Sequence, residues 1–320
     1  MVILYLMQGR KYEKDITEEI ANYDAFQIQN NKETQKEEEK KEEESVNDAR
    51  LANVLEEPKK IEENVIENEV KPVELSTTRK KFNGPTNERQ EAVVAGFLHA
   101  WKSYKKYAWG HDMLKPLSKS YQDWFGLGLT IVDALDTMYI MNLEEEFKEG
   151  RDWVDKSLNF DIRKDVNLFE VTIRVLGGLL SAYHLSNDTM FLTKATDLGN
   201  RLLPCFETDS GVPYSDINLA TQQAHSPKWS PDSSTSEVTT IQLEFRDLSR
   251  CTGNPKYEES AARVSLHVHQ LEKTEGLVPI FINAQTGNFR SYSTITLGAR
   301  GDSYYEYLLK QWIQTGRTIE

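Results

Sequence analysis

Few cysteines, no long apolar run and no excess of basic residues set the first limits on this sequence. Only Cys205 and Cys251 occur among 320 residues, which excludes a disulfide-scaffold miniprotein and a multi-cysteine zinc module. The formal net charge of −13 argues against a protein that binds nucleic acid through the phosphate backbone. No run of about eighteen apolar residues is present, so the sequence predicts no membrane span.

The N-terminal residues do not form a recognisable targeting segment. The apolar stretch MVILYLM has no basic residues before it, unlike the core of a secretory signal peptide. We therefore expect either a cytosolic protein or an incomplete form of a targeted one.

Composition divides the chain near residue 84. Glu and Lys dominate residues 13 to about 80, and no aromatic residue occurs in 31–81. Such a polar segment cannot bury enough apolar surface to offset the entropy of ordering. Residues 1–84 are therefore predicted to be a charged, largely disordered, stem-like segment; a coiled coil is the alternative, although no apolar heptad seam supports it. All six Trp lie beyond this point, and residues 85–320 are predicted to form the folded domain.

Helical periodicity predominates in the folded part and predicts an all-α domain. The segments SNDTMFLTKA and TGNPKYEESA repeat the order of a polar cap, an aromatic and an alanine, and each opens a helix that follows another helix. Stacked helical hairpins form a solenoid or an α/α toroid, and the irregular spacing favours the toroid. The predicted helices are 88–107, 127–141, 144–158, 168–185, 188–203, 235–250, 255–272 and 302–315, with one β-hairpin candidate at 276–289.

Acidic side chains recur on alternate, strongly apolar helices. Because a buried carboxylate is costly unless it is paired or hydrogen-bonded, we expect these helices to form an inner ring around an acidic cavity. The more charged helices at 144–158 and 255–272 then belong to the outer ring. Such a cavity suits glycoside hydrolysis by two carboxyls, or a hard cation such as Ca²⁺. The charged residues in question are Asp133, Asp136, Glu170, Arg174, Glu237, Glu244, Asp302 and Glu306.

Purely structural roles remain open for several of these residues. Glu170 and Arg174, one helical turn apart, could form only a buried ion pair. Asp133 and Asp136 could cap a loop. His111 is expected to hydrogen-bond within a loop, because no second His lies at metal-ligand spacing.

Helix capping offers further alternatives. Glu237 follows a run of Ser and Thr and could cap its own helix, and it shares one helix face with Glu244 at i, i+7. Asp302 stands at a helix start, where the dipole favours an acid whatever its function. The aromatics that could be sugar platforms or simply core residues are Trp109, Trp124, Trp229, Tyr214, Tyr304 and Tyr305.

A series of long motifs covers residues 89 to 315 almost without a break. They are FLHAWKSYKKYAWGHDMLKP, WFGLGLTIVDALDTMYIM, VNLFEVTIRVLGGLLSAYHLS, VPYSDIN, SEVTTIQLEFRDLSR, GLVPIFIN and LGARGDSYYEYLLKQWI. In this order they resemble the class I α-1,2-mannosidases, glycoside hydrolase family 47.

The resemblance implies an (α/α)7 toroid and residence in the endoplasmic reticulum or early secretory pathway. It also implies calcium-dependent, inverting hydrolysis of terminal α-1,2-linked mannose from high-mannose N-glycans, in glycoprotein processing and quality control. By this resemblance Glu170 is the general acid, and Asp302 is an acid that activates water or stabilises the sugar ring. Arg174, Glu237 and Arg300 correspond to residues that contact the substrate.

The chain also departs from the family pattern. It offers about four of seven hairpins, and the family's third essential carboxylate, calcium-ligating Thr and membrane anchor have no counterpart in it. We therefore predict no metal ligand in this chain, although Ca²⁺ is expected for the family, and membrane association only through an anchor that the chain lacks. Cys205 and Cys251 do not match the family's disulfide positions and are predicted to be free, buried thiols. The chain alone is expected to be inactive and to expose apolar faces.

Other functions and one modification site stay open. A non-catalytic mannosidase-like protein would bind glycans or serve quality control without cleaving them, and a helical scaffold would bind protein partners through its hairpin surfaces. No nucleic-acid partner is expected. Asn187-Asp188-Thr189 is a glycosylation sequon on a predicted loop, usable only in the secretory pathway.

Overall fold

The computed structural model describes residues 83–228 and 230–317, and these residues form a mainly helical domain. The predicted boundary between 1–84 and 85–320 is not tested and stays a prediction, and Trp229 lies outside the described residues. The helices are α1 (Glu88–Ala108), α2 (Leu129–Ile140), α3 (Glu144–Ser157), α4 (Leu168–Ser186), α5 (Thr189–Leu202), α6 (Thr235–Thr239), α7 (Gln242–Thr252), α8 (Lys256–Gln270) and α9 (Asp302–Gln314).

Three small antiparallel sheets are formed by the segments between the helices. In the first sheet β1 pairs with β2, in the second β3 pairs with β4 and β4 with β5, and in the third β6 pairs with β7. The strands are β1 (Met113–Lys115), β2 (Ser120–Gln122), β3 (Asp165–Asn167), β4 (Asp216–Asn218), β5 (Ala224–His225), β6 (Asp232–Ser234) and β7 (Phe281–Asn283).

The longer helices form two rows. Helices α2, α4, α7 and α9 contact one another in chain order, while α3, α5 and α8 each pack against the inner row as a hairpin neighbour. The inner helices are those on which the acidic residues were predicted, so the expected division into an inner and an outer row is confirmed for these elements. The core between the rows is a single cluster of buried apolar side chains.

Side-chain caps start several of the helices. Asn87 accepts a hydrogen bond from the backbone N–H of Gln90 at 3.0 Å, and Asp188 accepts one from Met190 at 3.0 Å. Such caps satisfy N–H groups that have no partner inside the helix. At the other end of α4, Asn187 adopts the left-handed conformation that typically ends a helix.

The beginning of α2 depends on a buried carboxylate from an earlier loop. Gly128 offers no side-chain cap, but Asp112, which is fully buried, accepts hydrogen bonds from the backbone N–H groups of four residues. These donors, at 2.6–3.2 Å, are Phe125, Gly126, Leu127 and Leu129. A buried charge that accepts several amide hydrogen bonds is compensated for its lost hydration.

The predicted helix 235–250 is wrong in one respect, because it breaks between Thr239 and Gln242. The hydroxyl of Thr239 donates to the carbonyl of Thr235, and that of Thr240 to the carbonyl of Ser236, both at 2.6 Å. Ser and Thr side chains that bond to the preceding turn compete with the helical pattern, and β-branched residues fit the helix less well. The break separates α6 from α7.

The predicted hairpin at 276–289 is only partly correct. Gly287 makes the tight turn, with φ +71° and a hydrogen bond from its N–H to the carbonyl of Asn283, and one bridge joins Ile282 to Phe289. The strand Phe281–Asn283, however, takes β6 as its ladder partner, about fifty residues earlier in the chain. Local alternation of residues does not reveal such a distant partner.

One described helix is long and apolar enough to cross a membrane by length and composition, namely α4. The sequence criterion of about eighteen consecutive apolar residues did not identify this helix. Its Val175, Leu176 and Leu179 side chains are completely buried in the domain core. We interpret α4 as the central helix of the inner row.

The expected exposed apolar surface is present on α9, the last helix of the inner row. Its exposed apolar side chains are Leu308, Leu309, Trp312 and Ile313.

Close approach of α2 and α4 requires a glycine at position 178. A Cβ atom there would lie 2.9 Å from the carbonyl oxygen of Val132, whereas one at Gly96 of α1 would have no neighbour within 4 Å. Gly178→Ala should therefore lower the free energy of unfolding by about 1–3 kcal/mol through overpacking. Gly96→Ala, the matched control, should raise it by up to about 1 kcal/mol through helix propensity. Urea unfolding of both variants measures these two changes. Equal changes in the free energy of unfolding would contradict the requirement for a glycine at position 178.

Candidate active site

Two strand-to-helix junctions carry glutamates in the same local setting. At the junction of β3 and α4, the Asn167 side chain accepts from the backbone N–H of Glu170 at 2.9 Å. At the junction of β6 and α6, the Ser234 hydroxyl accepts from the N–H of Glu237 at 3.4 Å. Each glutamate thus occupies the third position after a helix cap, which is where a cap fixes the first turn.

The Asn167 side chain also joins the two junctions. Its amide Nδ2 donates to the Oε2 of Glu237 at 3.0 Å, while its Oδ1 caps the helix that carries Glu170. Glu237 is therefore capped by Ser234 and held by Asn167, and it does not cap its own helix. The sequence analysis did not single out Asn167; its spacing of three residues before Glu170, like that of Ser234 before Glu237, was the available signal.

Burial governs the protonation of Glu237. Desolvation raises the pKa of its carboxyl above the usual value, and the Asn167 hydrogen bond and the positive charge of Arg300 oppose this rise. The negative charges of Asp216 and Glu170 raise the pKa further. Glu237 therefore forms an acidic cluster with Glu170 and Asp216, and the negative charge of this cluster is only partly compensated.

Arg174 lies between two acidic residues. Its Nε bonds to the Oε2 of Glu170 at 2.8 Å, and its Nη1 lies 3.7 Å from the Oδ2 of Asp133. The Glu170 and Arg174 side chains remain 23% and 39% exposed, so the ion pair is not the fully buried one that was the alternative. Thr172–Leu176 form a π-helical turn, which places Arg174 in an irregular part of α4. Such turns are frequent at functional sites.

Asp133 and Asp136 do not cap a loop, contrary to the alternative offered for them. Both lie inside α2, where Asp133 faces Arg174 and Asp136 accepts a hydrogen bond from the Ser181 hydroxyl at 2.9 Å. Burial raises the pKa of Asp133, and the charge of Arg174 opposes that rise. Asp133 therefore belongs to the acidic cluster, and Asp136 serves the contact of α2 with α4.

The loop before α9 brings Arg300 to the start of α6. The backbone N–H of Ser236 donates to the carbonyl of Arg300 at 2.8 Å, next to Glu237. Arg300 has φ +72°, and its guanidinium lies 5.2 Å from the centre of the Phe281 ring. The contact between this cation and ring explains how the loop is held against β7.

Asp302 is the first residue of α9 and is exposed. Its Oδ1 accepts from the backbone N–H of Ser303 at 2.8 Å, and the Ser303 hydroxyl lies 3.4 Å from that of Thr240. The structure thus places Asp302 beside α6, at the same end of the inner row as Glu237, with no hydrogen bond between the two carboxyls among the described contacts. Its helix-start position agrees with the dipole interpretation and leaves its carboxylate accessible.

Glu244 does not share a helix face with Glu237, because the break at 240–241 separates them. The Tyr307 hydroxyl donates to the Oε1 of Glu244 at 3.0 Å, while the Oε2 is enclosed and has no hydrogen-bond partner among the described residues. Burial raises the pKa of Glu244 to about 7. This acid lies between the inner helices, away from the two capped junctions.

Structural roles are observed for His111 and for three of the candidate aromatics, Trp109, Tyr304 and Tyr305. His111 bonds to Asp123 at 2.8 Å and confirms the loop interpretation. Tyr304 is buried in the core, and Trp109 and Tyr305 pack against it. Trp124 remains 41% exposed and stacks on Phe125.

Both cysteines are free, as predicted, but only Cys205 is fully buried; Cys251 is half-buried. The one group of three His, Cys, Asp or Glu side chains in the described residues that could hold a metal ion includes Cys251 and lies outside the acidic cluster. Calcium prefers six to eight oxygen ligands.

The geometry defines a helical-hairpin domain with an acidic site at the N-terminal ends of its inner helices. Residues 96–320 match Glycosyl hydrolase family 47. The chain belongs to that family.

Curated relatives of this chain are named as mannosidases. The endoplasmic reticulum mannosyl-oligosaccharide 1,2-alpha-mannosidase of Rattus norvegicus is 59% identical over 249 residues, which are 78% of this chain and 38% of that protein. The Homo sapiens protein of the same name is 61% identical over 232 residues, covering 72% and 33%. The chain thus spans less than half the length of these relatives.

A solved structure supports the fold. The alpha-1,2-mannosidase from Trichoderma reesei matches with a TM-score of 0.66 and 29% identity, over 72% of this chain and 51% of that chain. The expected all-α, (α/α)7 toroid family fold, with about four of seven hairpins present, is thereby confirmed.

The bridging role of Asn167 can be tested with a variant that keeps the helix cap. Asn167→Asp retains the capping oxygen, but removes the amide donor and adds a negative charge beside Glu237. We expect the pKa of Glu237 to rise further, measured by NMR titration of its side-chain carboxyl. Asn87→Asp, the same change at the cap of α1, is the control and should leave this titration unaltered. An unchanged Glu237 titration in Asn167→Asp would argue against the bridge.

Glu244 should make stability depend on pH. Its pKa is about 7 in the folded protein against an ordinary value of 4.5, so the folded state loses stability as pH rises from 4.5 through 7. Glu244→Gln removes this dependence, and the variant should gain on the unsubstituted chain by on the order of 3 kcal/mol across that window. Urea unfolding over a pH series measures it, with Glu145→Gln on exposed α3 as the control. If the free energies of unfolding of Glu244→Gln and of the unsubstituted chain differ by the same amount at every pH, the pH dependence does not come from Glu244.

Proposed function

We propose that this chain supplies the first part of a catalytic domain that hydrolyses terminal α-1,2-linked mannose from high-mannose N-glycans, with inversion. The observation that carries the proposal is the convergence of Glu170, Arg174, Glu237 and Arg300 at the capped N-terminal ends of α4 and α6. The names of the family relatives support the substrate.

In this proposal Glu170 protonates the glycosidic oxygen as the bond breaks. Arg174 orients the carboxyl group of Glu170 through the 2.8 Å contact and is itself restrained by Asp133. A second carboxyl must lie on the opposite face of the sugar and leave room for a water molecule. Asp302 suits this task because its carboxylate is exposed, and its role is water activation or stabilisation of the ring.

Glu237 and Arg300 are proposed to bind the sugar or the adjacent oligosaccharide. A half-buried carboxylate and a guanidinium near the same junction offer an acceptor and donors to sugar hydroxyls. Preorganised polar groups of this kind position a substrate at little further cost.

We also propose calcium dependence and residence in the endoplasmic reticulum or early secretory pathway. The protein's calcium ligands would come from outside the described residues, so no step is assigned to the ion. The names of the relatives support the location.

Mannose release tests the catalytic assignment. We would join residues 85–320 to the remaining part of the family domain of the rat relative and assay it on an α-1,2-mannosyl oligosaccharide with Ca²⁺. Glu170→Gln and Asp302→Asn should each lower the rate by about 10²-fold or more, because each removes a proton-transfer or charge-stabilising group. Glu145→Gln, on the outer row, is the control.

Two results would contradict the assignment. Absence of mannose release from the unsubstituted chimera opposes the activity, and glycan binding without release would favour the non-catalytic alternative. Full activity in Glu170→Gln opposes the assigned acid. The 320-residue chain alone is expected to show little or no turnover, and calcium-dependent activity from it would overturn that expectation.

Secretory residence can be tested at Asn187, which is exposed at the end of α4. In cells, enzymatic removal of N-glycans should shift the mobility of the chain, because Asn187-Asp188-Thr189 is an acceptor triplet. Asn187→Gly should abolish the shift while keeping the left-handed backbone. Localisation of the tagged protein to the cytosol would contradict the proposal.

A further inference from the structure

A second cluster of chemically active side chains lies between α4 and α7. The Nε2 of His184 lies 2.7 Å from the Oδ2 of Asp247 and 3.6 Å from the Sγ of Cys251. Asp247 and Cys251 stand one turn apart on α7, so both project toward α4. The three ligand atoms all lie within 4.8 Å of one another.

This cluster is remote from the candidate active site. Glu170 begins α4 and His184 lies near its end, a separation of about 21 Å along a helix. The proposed hydrolysis gives no role to any of the three side chains. The inference therefore stands independently of the proposed function.

The ligand set suits a zinc-like ion. Thiolate, imidazole and carboxylate are the ligands that Zn²⁺ takes, and bond lengths of about 2.3 Å to sulfur and 2.0 Å to nitrogen put two tetrahedral ligands about 3.5 Å apart. The observed 3.6 Å between Sγ and Nε2 already matches that separation. The 2.7 Å contact between His184 and Asp247 would have to lengthen by only about half an ångström.

Solvent can reach the cluster. The side chains of His184 and Asp247 are each 27% exposed, and Cys251 is half-buried. An ion could therefore enter from solution and keep a water molecule as its fourth ligand. Partial burial also restricts the rotamers of the side chains and lowers the entropic cost of assembling them.

We propose that His184, Asp247 and Cys251 form a binding site for a zinc-like divalent cation, with one position left for water. The site would tie α4 to α7 through ligands from both helices. Because Ca²⁺ prefers oxygen ligands, calcium should not occupy it. Binding of Ca²⁺ elsewhere in the protein would neither require nor disturb this site.

Protons compete with the ion. The hydrogen bond of His184 with Asp247, and to a lesser extent that with Cys251, raises the pKa of the imidazole to about 10. The ion must displace the imidazolium proton of His184, so affinity should rise with pH and binding should release a proton.

Cobalt(II) is a direct probe, because a cobalt–thiolate bond produces a charge-transfer absorption in the near ultraviolet that carboxylates do not. We would titrate the reduced 320-residue chain with Co²⁺ and then add Zn²⁺ or Ca²⁺ as a competitor. The absorption should saturate at one ion per chain, and Zn²⁺ but not Ca²⁺ should abolish it.

Variants assign the ligands. Cys251→Ser should lose the absorption completely, and His184→Gln should weaken the affinity for Co²⁺ by at least about tenfold. His269→Asn, at an exposed position near the end of α8, is the control and should titrate like the unsubstituted chain. Circular dichroism of each variant confirms that it is folded.

Three results would overturn the proposal. One is the lack of a thiolate absorption in the unsubstituted chain. Another is its persistence in Cys251→Ser, which would point to Cys205. The third is equal Co²⁺ affinity in His184→Gln and His269→Asn, which would exclude the imidazole as a ligand.

Discussion

One asparagine side chain holds the acidic site together. Asn167 ends β3, caps α4 with its oxygen and donates its amide hydrogen to Glu237 on the neighbouring junction. Both glutamates depend on it: Glu170 because the cap starts its helix, and Glu237 because the amide is one of the few groups that offset its burial. An amide suits both tasks because it is donor and acceptor at once.

The inner helices must also approach closely for the site to exist. Gly178 removes a side chain where α2 and α4 meet, and this brings Asp133 within reach of Arg174. Arg174 in turn reaches Glu170 from an irregular turn of α4. The result is a line of alternating charges across two helices, in which the cost of partly burying each carboxylate is offset by a cation.

The sequence predicted the helices well, because apolar periodicity and polar caps act over a few residues. The sequence-based prediction failed where the decisive contact joins residues far apart in the chain. It also failed where side-chain hydrogen bonds compete with the helical hydrogen bonds. The break at 240–241 arises from hydroxyl groups that bond back to their own turn. The pairing of β6 with β7 and the bond from Asn167 to Glu237 join residues about fifty and seventy positions apart, which local patterns do not reveal.

The site residues themselves were predicted chiefly through family resemblance. Their spacing alone left structural roles open, and the structure decided several of these: Glu237 is not its own cap, and Asp133 does not cap a loop. The position of Cys251 could not be predicted at all, since no sequence pattern places a half-buried thiol beside His184 and Asp247. Only the packing of α4 against α7 does so.

The most direct test of the central claim is a crystal structure of the chimeric family domain with a sulfur-linked, non-hydrolysable α-1,2-mannose disaccharide. We predict that the terminal mannose lies at the capped ends of α4 and α6, with its glycosidic sulfur facing Glu170 and its hydroxyls within hydrogen-bond reach of Glu237 or Arg300. A disaccharide bound elsewhere on the domain, with these side chains still paired only to one another, would contradict the account.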